Sequence, residues 1–184
     1  EILSGLVGSE MCIRDRIIYE HHEHCDGSGY PQQLREASIG RLSRIVCIAN
    51  HFDNLCNPVD PRVALSPHEA LARMFLPQYR VRFDDVALKA FIRCMGVYPP
   101  GSLVQLEDER YALVLGMHPT LPMKPTLIVY DPAVPKEEAL IVNLEAEPKL
   151  AIASSMRPSQ LPPAALEYLN PRQQLTYYVD PRRR

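Results

Sequence analysis

The chain has 184 residues, 46% of them hydrophobic and 23% charged, an ordinary globular composition with room for one good core or two small ones. Its net charge of −2 leaves no basic footprint for sequence-independent binding to nucleic acid or to an anionic membrane. No apolar run approaches the roughly 18 residues that span a bilayer, and five scattered cysteines without a CxxC pair are the usage of a reduced, cytoplasmic protein.

Residues 1–16, "EILSGLVGSEMCIRDR", read unlike the rest and resemble a translated sequencing-adapter remnant. The expectation is that this stretch is not native and stays outside fold reasoning. The alternative is a genuine helix start, with Ser9 as cap and Met11, Ile13 and Ile17 on its apolar side. Ile17 to His22 suits the last turns of a helix, ended by Asp26-Gly27-Ser28-Gly29. "IGRLSRIVCIANHFDNLC" predicts a strong helix whose apolar stripe is Leu42, Ile45, Val46, Ala49, Phe52 and Cys56, with Asn50 and Asp53 on its margin. "SPHEALARMF" opens a further helix, with Ser66 as cap, Pro67 at the first position and Glu69 three residues after the cap. "FDDVALKAFIRCMGVY" predicts another, with Phe83, Val86, Ala90, Phe91 and Cys94 inward and Gly96 at its end.

The composition then shifts. Four prolines precede Pro77 and fourteen stand from Pro77 onward, and proline disfavours helix. "SLVQLEDERYALVLGM" reads as a hairpin around a Glu-Asp-Glu-Arg turn; "TLIVYD" and "ALIVNLE" read as two more strands, with Ile152 in a fifth. A small antiparallel sheet or open barrel is expected over 99–157, after an all-α segment over 17–98. The tail, 158–184, is expected to hold a short helix near Leu161–Leu169, then "RQQLTYYV" and a basic, frayed "RRR". The overall class is α+β, mainly α and then a small β domain.

"EHHEHCDGSGYPQQL", Glu20 to Leu34, concentrates histidines and acids. Adjacent histidines on a helix point about 100° apart, so His21 and His22 suit two different ions better than one. Imidazole with carboxylate suits iron or manganese at least as well as zinc. Asn50 and Asp53 are candidates to join from the neighbouring helix. The plain alternative is a solvated helix end followed by a turn.

The order of residues goes further. "HHEHCDGSGYP", His21 to Pro31, resembles the signature of the HD-GYP family of cyclic di-GMP phosphodiesterases. The likeness extends through "SIGRLSRIVCIANHFDNL" and "LSPHEALARM" to about Leu106. It implies a partial HD-GYP helical bundle with a divalent metal cluster, iron or manganese, where an activated hydroxide attacks a phosphodiester. Under it, His21 and His22 match metal ligands, and Glu23 and Asp26 match acids that hold the motif together, as partners that orient the imidazoles. Gly27, Gly29, Tyr30 and Pro31 match the loop that walls the nucleotide pocket.

The chain departs from that pattern at three places. No His-Asp pair occurs between Glu1 and Glu20, although the resemblance places such a dyad upstream of His21. No complete catalytic set is therefore expected, and the chain reads as the C-terminal part of a longer phosphodiesterase, inactive by itself. Asn50 stands where the family has an aspartate ligand, and Asp53 matches a second acid of the pattern rather than the ligand. In "NPVDPR", Arg62 holds one of two basic positions that meet substrate phosphates, while Val59 takes the other. Arg44 is expected to serve packing, and His24, Cys25 and His51, at variable positions, to face solvent. The implied partners are cyclic di-GMP and, for a degenerate non-catalytic module, a signalling protein such as a GGDEF cyclase.

Overall fold

The computed structural model describes residues 12–118 and 120–170. It divides the chain into two compact units, Glu1–Asn54 with Ala72–Phe91, and Leu55–Leu71 with Ile92–Arg184. Most of the segment expected to be non-native, 1–11, lies outside the described residues, as do "RQQLTYYV" and the terminal arginines.

The first unit is helical. Helix α1 covers 12–20, α2 Arg41–Cys56, α3 Pro67–Phe75, α4 Pro77–Arg80 and α5 Asp85–Met95, with unit boundaries falling inside α2, α3 and α5. Its buried apolar residues include Ile39, Ile48, Phe52, Met74, Phe83 and Leu88. The Arg16 guanidinium, at the end of the stretch expected to be non-native, donates to Glu20 Oε1 at 2.8 Å and to the Ser38 carbonyl at 3.1 Å. Glu20 in turn accepts the Gly40 N–H at 2.7 Å, so a buried carboxylate sits at the start of α2, where the helix dipole favours negative charge. Burial pushes the Glu20 carboxyl up, but the Gly40 amide, Arg16 and Ser43 outweigh it and hold it below its usual range.

Two expected helix faces are corrected. On α2, Leu42, Ile45 and Ala49 are exposed, and the buried face runs through Ser43, Cys47, Ile48, Phe52 and Cys56. The reason is polar: Ser43 turns toward Glu20, and the Cys47 thiol donates to the Glu23 carbonyl at 3.2 Å. A hydrophobic count cannot see such partners. On α5, Asp84 accepts the Ala87 N–H at 2.8 Å and so caps the helix. That start puts Leu88 at the centre of the buried face and leaves Val86, Ala90 and Cys94 exposed. Arg44 ties this cap to the preceding turn, donating to Asp84 at 2.6 Å and to Glu36 at 3.3 Å, the packing role expected of it.

The second unit is a five-stranded antiparallel sheet in the order β4-β3-β2-β1-β5, with β1 Leu103–Leu106, β2 Tyr111–Gly116, β3 Thr126–Val129, β4 Leu140–Asn143 and β5 Ile152–Met156. Each expected strand is present. The Glu-Asp-Glu-Arg turn closes β1 onto β2, with Leu106 N–H bonded to the Arg110 carbonyl at 2.9 Å and Glu109 at φ 69°. Alternation sends Val104, Leu106, Ala112, Val114, Leu127 and Val129 to one face, all at most 1% exposed. The other face packs Leu103 against Leu161 and against Ala165 and Leu169 of α6, Pro163–Leu169, the helix expected near that position. The start of α3 is capped as its sequence predicts: Glu69 N–H donates to Ser66 Oγ at 3.2 Å and Ser66 N–H to Glu69 Oε2 at 2.9 Å.

Candidate metal and nucleotide site

The end of α1 and the loop after it bring the two motif histidines together. Their ring centroids lie 4.0 Å apart at a tilt of 39°, so they converge more than ideal helical spacing suggests. The helix has already broken into a turn at His21 and His22, and this releases the angle. His21 Nδ1 lies 2.8 Å from the Ile18 carbonyl and 3.1 Å from that of Ile17. A carbonyl can only accept, so Nδ1 carries the proton and Nε2 keeps its lone pair for a ligand.

His22 has different neighbours. Its Nδ1 lies 3.4 Å from the Asn50 side-chain nitrogen, which brings the amide of α2 beside the pair. With the amide N–H donating, His22 takes the tautomer with its proton on Nε2. Burial, then the neighbouring His21, lowers the His22 pKa, so the ring is neutral at neutral pH. Tyr30 covers it, the two rings stacked at 4.6 Å with an interplanar angle of 20°. The Tyr30 side also remains exposed, which leaves an aromatic face open to solvent.

Gly29 makes this stacking possible. A Cβ there would stand 2.5 Å from Glu23 Cα and from the His22 carbonyl oxygen, inside any real contact. The loop thus crosses directly over the backbone of 22–24, and Tyr30 N–H donates to the His22 carbonyl at 3.2 Å. The close approach that Gly29 permits is to the chain's own backbone. Gly27, at φ 81°, makes the turn before it.

Glu23 and Asp26 hold the motif together, the first part of what is expected of them, but through backbone and Ser28 donors. Glu23 is 1% exposed, and its two oxygens accept the Gln32 N–H at 2.6 Å and the Leu34 N–H at 2.9 Å. Asp26 Oδ1 accepts the Ser28 hydroxyl at 2.6 Å and the Ser28 N–H at 2.9 Å. These carboxylates fasten the loop rather than orient the imidazoles, because backbone amides of the loop are the donors within reach. Burial pushes the Asp26 carboxyl up, and the Ser28 bonds outweigh it and hold it low. Pro31 is exposed on the same loop.

His24, Cys25 and His51 do not face solvent as expected; all three are half-buried. His51 packs edge-on to Phe83 at 5.1 Å and to His24 at 6.2 Å, and its Nε2 is a buried atom without a hydrogen-bond partner. Desolvation lowers the pKa of both imidazoles. Burial pushes the Cys25 thiol up to about 11 and the Cys47 thiol to about 12, so neither offers a thiolate at neutral pH. Phe83 stands 59 residues or more from the motif histidines in the chain, beyond the reach of any local pattern; the one hint was its place before the Asp84 cap.

Asp53 is exposed on α2, one turn beyond Asn50. Arg62 belongs to the second unit and forks onto Asp60, with Nε at 2.9 Å from Oδ1 and Nη2 at 2.8 Å from Oδ2. Among the described residues no group of three or more His, Cys, Asp or Glu is placed to hold a metal ion. His21 Nε2 is open to a divalent ion as a donor, whereas His22 Nδ1 becomes one only when the Asn50 amide N–H leaves it. Neither the rings nor the amide bring an ion negative charge.

Comparison with known proteins agrees with the motif. Residues 13–86 match the HD domain family, whose phosphohydrolases are metal-dependent. Within that class the signature from His21 to Pro31 resembles that of the HD-GYP family, in keeping with the names of the relatives it matches. It is 31% identical over 114 residues to "Cyclic di-GMP phosphodiesterase PA4108" of Pseudomonas aeruginosa, covering 62% of this chain and 27% of the relative. It is 34% identical over 93 residues to "Cyclic di-GMP phosphodiesterase response regulator RpfG" of Xanthomonas campestris, covering 50% and 24%. A "3'3'-cGAMP-specific phosphodiesterase 1" of Vibrio cholerae is 33% identical over 89 residues, covering 48% and 21%. The chain thus spans about a quarter of the length of these relatives. No solved structure matches it. No described helix is long and apolar enough to cross a membrane.

Proposed function

We propose that the helical unit is the nucleotide-facing part of a phosphodiesterase centre for a cyclic dinucleotide, cyclic di-GMP by its relatives, working in the cytoplasm. We also propose that this chain by itself does not turn the substrate over. The observation that carries the reading is the convergence of His21, His22 and Asn50 beneath the Tyr30 ring. A divalent ion, iron or manganese, supplies Lewis acidity toward a phosphodiester oxygen when bound. The chain's own residues do the rest. His21 presents Nε2, held by the carbonyls behind it, and His22 stands beside it as a neutral ring. Tyr30 offers a guanine base an aromatic face to stack on. Glu23 and Asp26 hold the loop that carries Tyr30 and Pro31. Asn50 contributes a dipole where a charge is wanted, which weakens affinity for a hard cation. Arg62 is a candidate for the substrate phosphates once its Asp60 fork opens.

The test is turnover and metal content. The purified chain, given manganese or ferrous iron, is expected to release no pGpG or GMP above a metal-only blank, and release above it would sink the claim of inactivity. Asn50→Asp is expected to raise the bound metal per chain, because a carboxylate adds charge beside the His22 ring. An unchanged metal content would remove Asn50 from the site.

The neutral Asn50 favours a second reading, a module that binds cyclic di-GMP or a signalling partner such as a GGDEF cyclase without cleavage. Calorimetry with cyclic di-GMP in chelator separates the two: heat of binding without added metal supports the module, and metal-dependent binding supports the degraded centre.

A further inference from the structure

We propose that the cavity beside β4, together with the outer edge of that strand, is a docking site for an extended segment of a partner protein that alternates apolar and basic side chains. Every group of the site lies in the sheet unit.

The cavity measures about 580 Å³ and is walled by the β1–β2 turn and by the chain that follows β4. Val142 of β4 and Leu150 form its apolar side and pack against the sheet core. In its wall Asp108 and Arg110 neutralise each other, with Oδ2 and Nη2 2.6 Å apart. Glu107, Glu147 and Lys149 line the same space, and among the described residues they have no ion-pair partner. Two carboxylates against one ammonium make the cavity a receiver of cations.

The strand beside it offers main-chain groups. β4 ends the sheet order. Its register on β3, with the Leu144 N–H on the Pro125 carbonyl at 3.2 Å, turns the main-chain groups of Ile141 and Asn143 outward. The Asn143 carbonyl is taken by the Ala146 N–H at 3.0 Å, so the outward groups centre on Ile141. Such an edge pairs with an extended chain that reaches it. The Ile141 side chain is 68% exposed, although its cross-strand partner Ile128 packs against the α6 core.

The two faces define the occupant. A strand added beside β4 sends successive side chains to opposite faces of the sheet. One set covers Ile141 and is apolar. The other stands at the cavity, where a lysine or arginine lays its methylene stem along Val142 and Leu150 and brings its charge to Glu107 and Glu147. A second copy is disfavoured by charge. Between Asp131 and Glu147 the chain carries five acids and one lysine. Pairing β4 with β4 antiparallel about Ile141 would bring Glu137 and Glu138 toward Glu145 and Glu147, like charges facing like.

The test uses the full chain and a short, capped, fluorescent peptide that alternates lysine and valine. The peptide is expected to bind and to slow hydrogen–deuterium exchange around Ile141 roughly tenfold, with β1 and β2 unchanged. A peptide of equal length that alternates glutamate and valine is expected not to bind. Ile141→Pro deletes an outward N–H while sparing the bonds to β3, and is expected to weaken binding about tenfold. Exchange in β1 and β2 reports whether that variant keeps its sheet. Glu107→Gln combined with Glu147→Gln leaves the edge intact and is expected to weaken binding severalfold. Failure of the lysine peptide to bind, equal binding of the glutamate peptide, or an affinity unchanged in either variant overturns the proposal. So does protection around Ile141 that grows with protein concentration in the absence of peptide, which assigns the edge to a second copy.

Discussion

The two units bury different things. In the sheet unit the interior is apolar on both faces, and Val104, Leu106, Ala112, Val114, Leu127 and Val129 leave almost no surface. Among the described residues its buried polar side chains are small hydroxyls, Ser66 and Ser102. The helical unit also has an apolar interior, but it buries the carboxylates of Glu20 and Glu23 as well, each accepting backbone N–H groups from a later stretch of chain. A buried charge is tolerated only when its hydrogen bonds are made, so these two acids specify where the motif loop and α2 must lie. The lesson is that the sheet is held by area, whereas the site is held by aimed bonds.

The sharpest way to break the contrast is to cut one anchor of each kind. Leu127→Ala removes a fully buried side chain from the sheet core and is expected to cost about 3 kcal/mol, the usual range for a large-to-small core change. Urea unfolding followed by near-ultraviolet dichroism of the tyrosines measures it. The motif loop is expected to keep its exchange protection in this variant. Glu23→Ala comes next, at about 2 kcal/mol, because bonds to a charged acceptor are lost and two amides are left without it. Its signature is local: the Gln32 and Leu34 amides exchange faster, and Tyr30 loses its seat over His22. Glu23→Gln retains an acceptor oxygen and is expected to cost about half as much. Were Glu23→Ala no worse than Glu23→Gln, the loop would be held by its apolar contacts and the contrast would fail.

What could be read from sequence follows the same division. The five strands were legible because period-two alternation and turn residues are local signals, and the Ser66–Glu69 box because it spans four residues. The signature from His21 to Pro31 was legible as a motif, and so was the neighbourhood of Asn50. The buried faces of α2 and α5 were not. They depend on Ser43, Cys47 and Asp84, polar residues whose partners are Glu20, the Glu23 backbone and the Arg44 guanidinium. Nor were the inward positions of His24 and His51, since Phe83, against which they pack, comes from a distant part of the chain. Periodicity finds an apolar stripe; it does not find an acid whose partners lie nine and eleven residues away.

The smallest expected effect tests whether charge matters anywhere in the sheet unit. Glu69 closes the capping box on Ser66 and also accepts the Arg157 guanidinium at 2.8 and 3.0 Å. Burial pushes its carboxyl up, but Arg157 and Ser66 outweigh it and hold it below its usual range. A carboxyl with a lowered folded pKa adds stability above its unfolded pKa, about 4.3, and that contribution disappears as pH falls through the folded pKa. Glu69→Gln keeps the box, since glutamine serves equally at that position, and loses only the charge. The partly exposed pair is expected to be worth under about 1 kcal/mol near neutral pH. The variant's sheet unit should therefore lose less stability than the wild type when the pH drops below about 4. The motif loop, whose Asp26 is held low in the same direction, should loosen equally in both proteins. A sheet unit that softens with acid to the same extent in Glu69→Gln and wild type would show that its stability is indifferent to this carboxylate, and would leave the Ser66 cap as the whole contribution of α3's first turn.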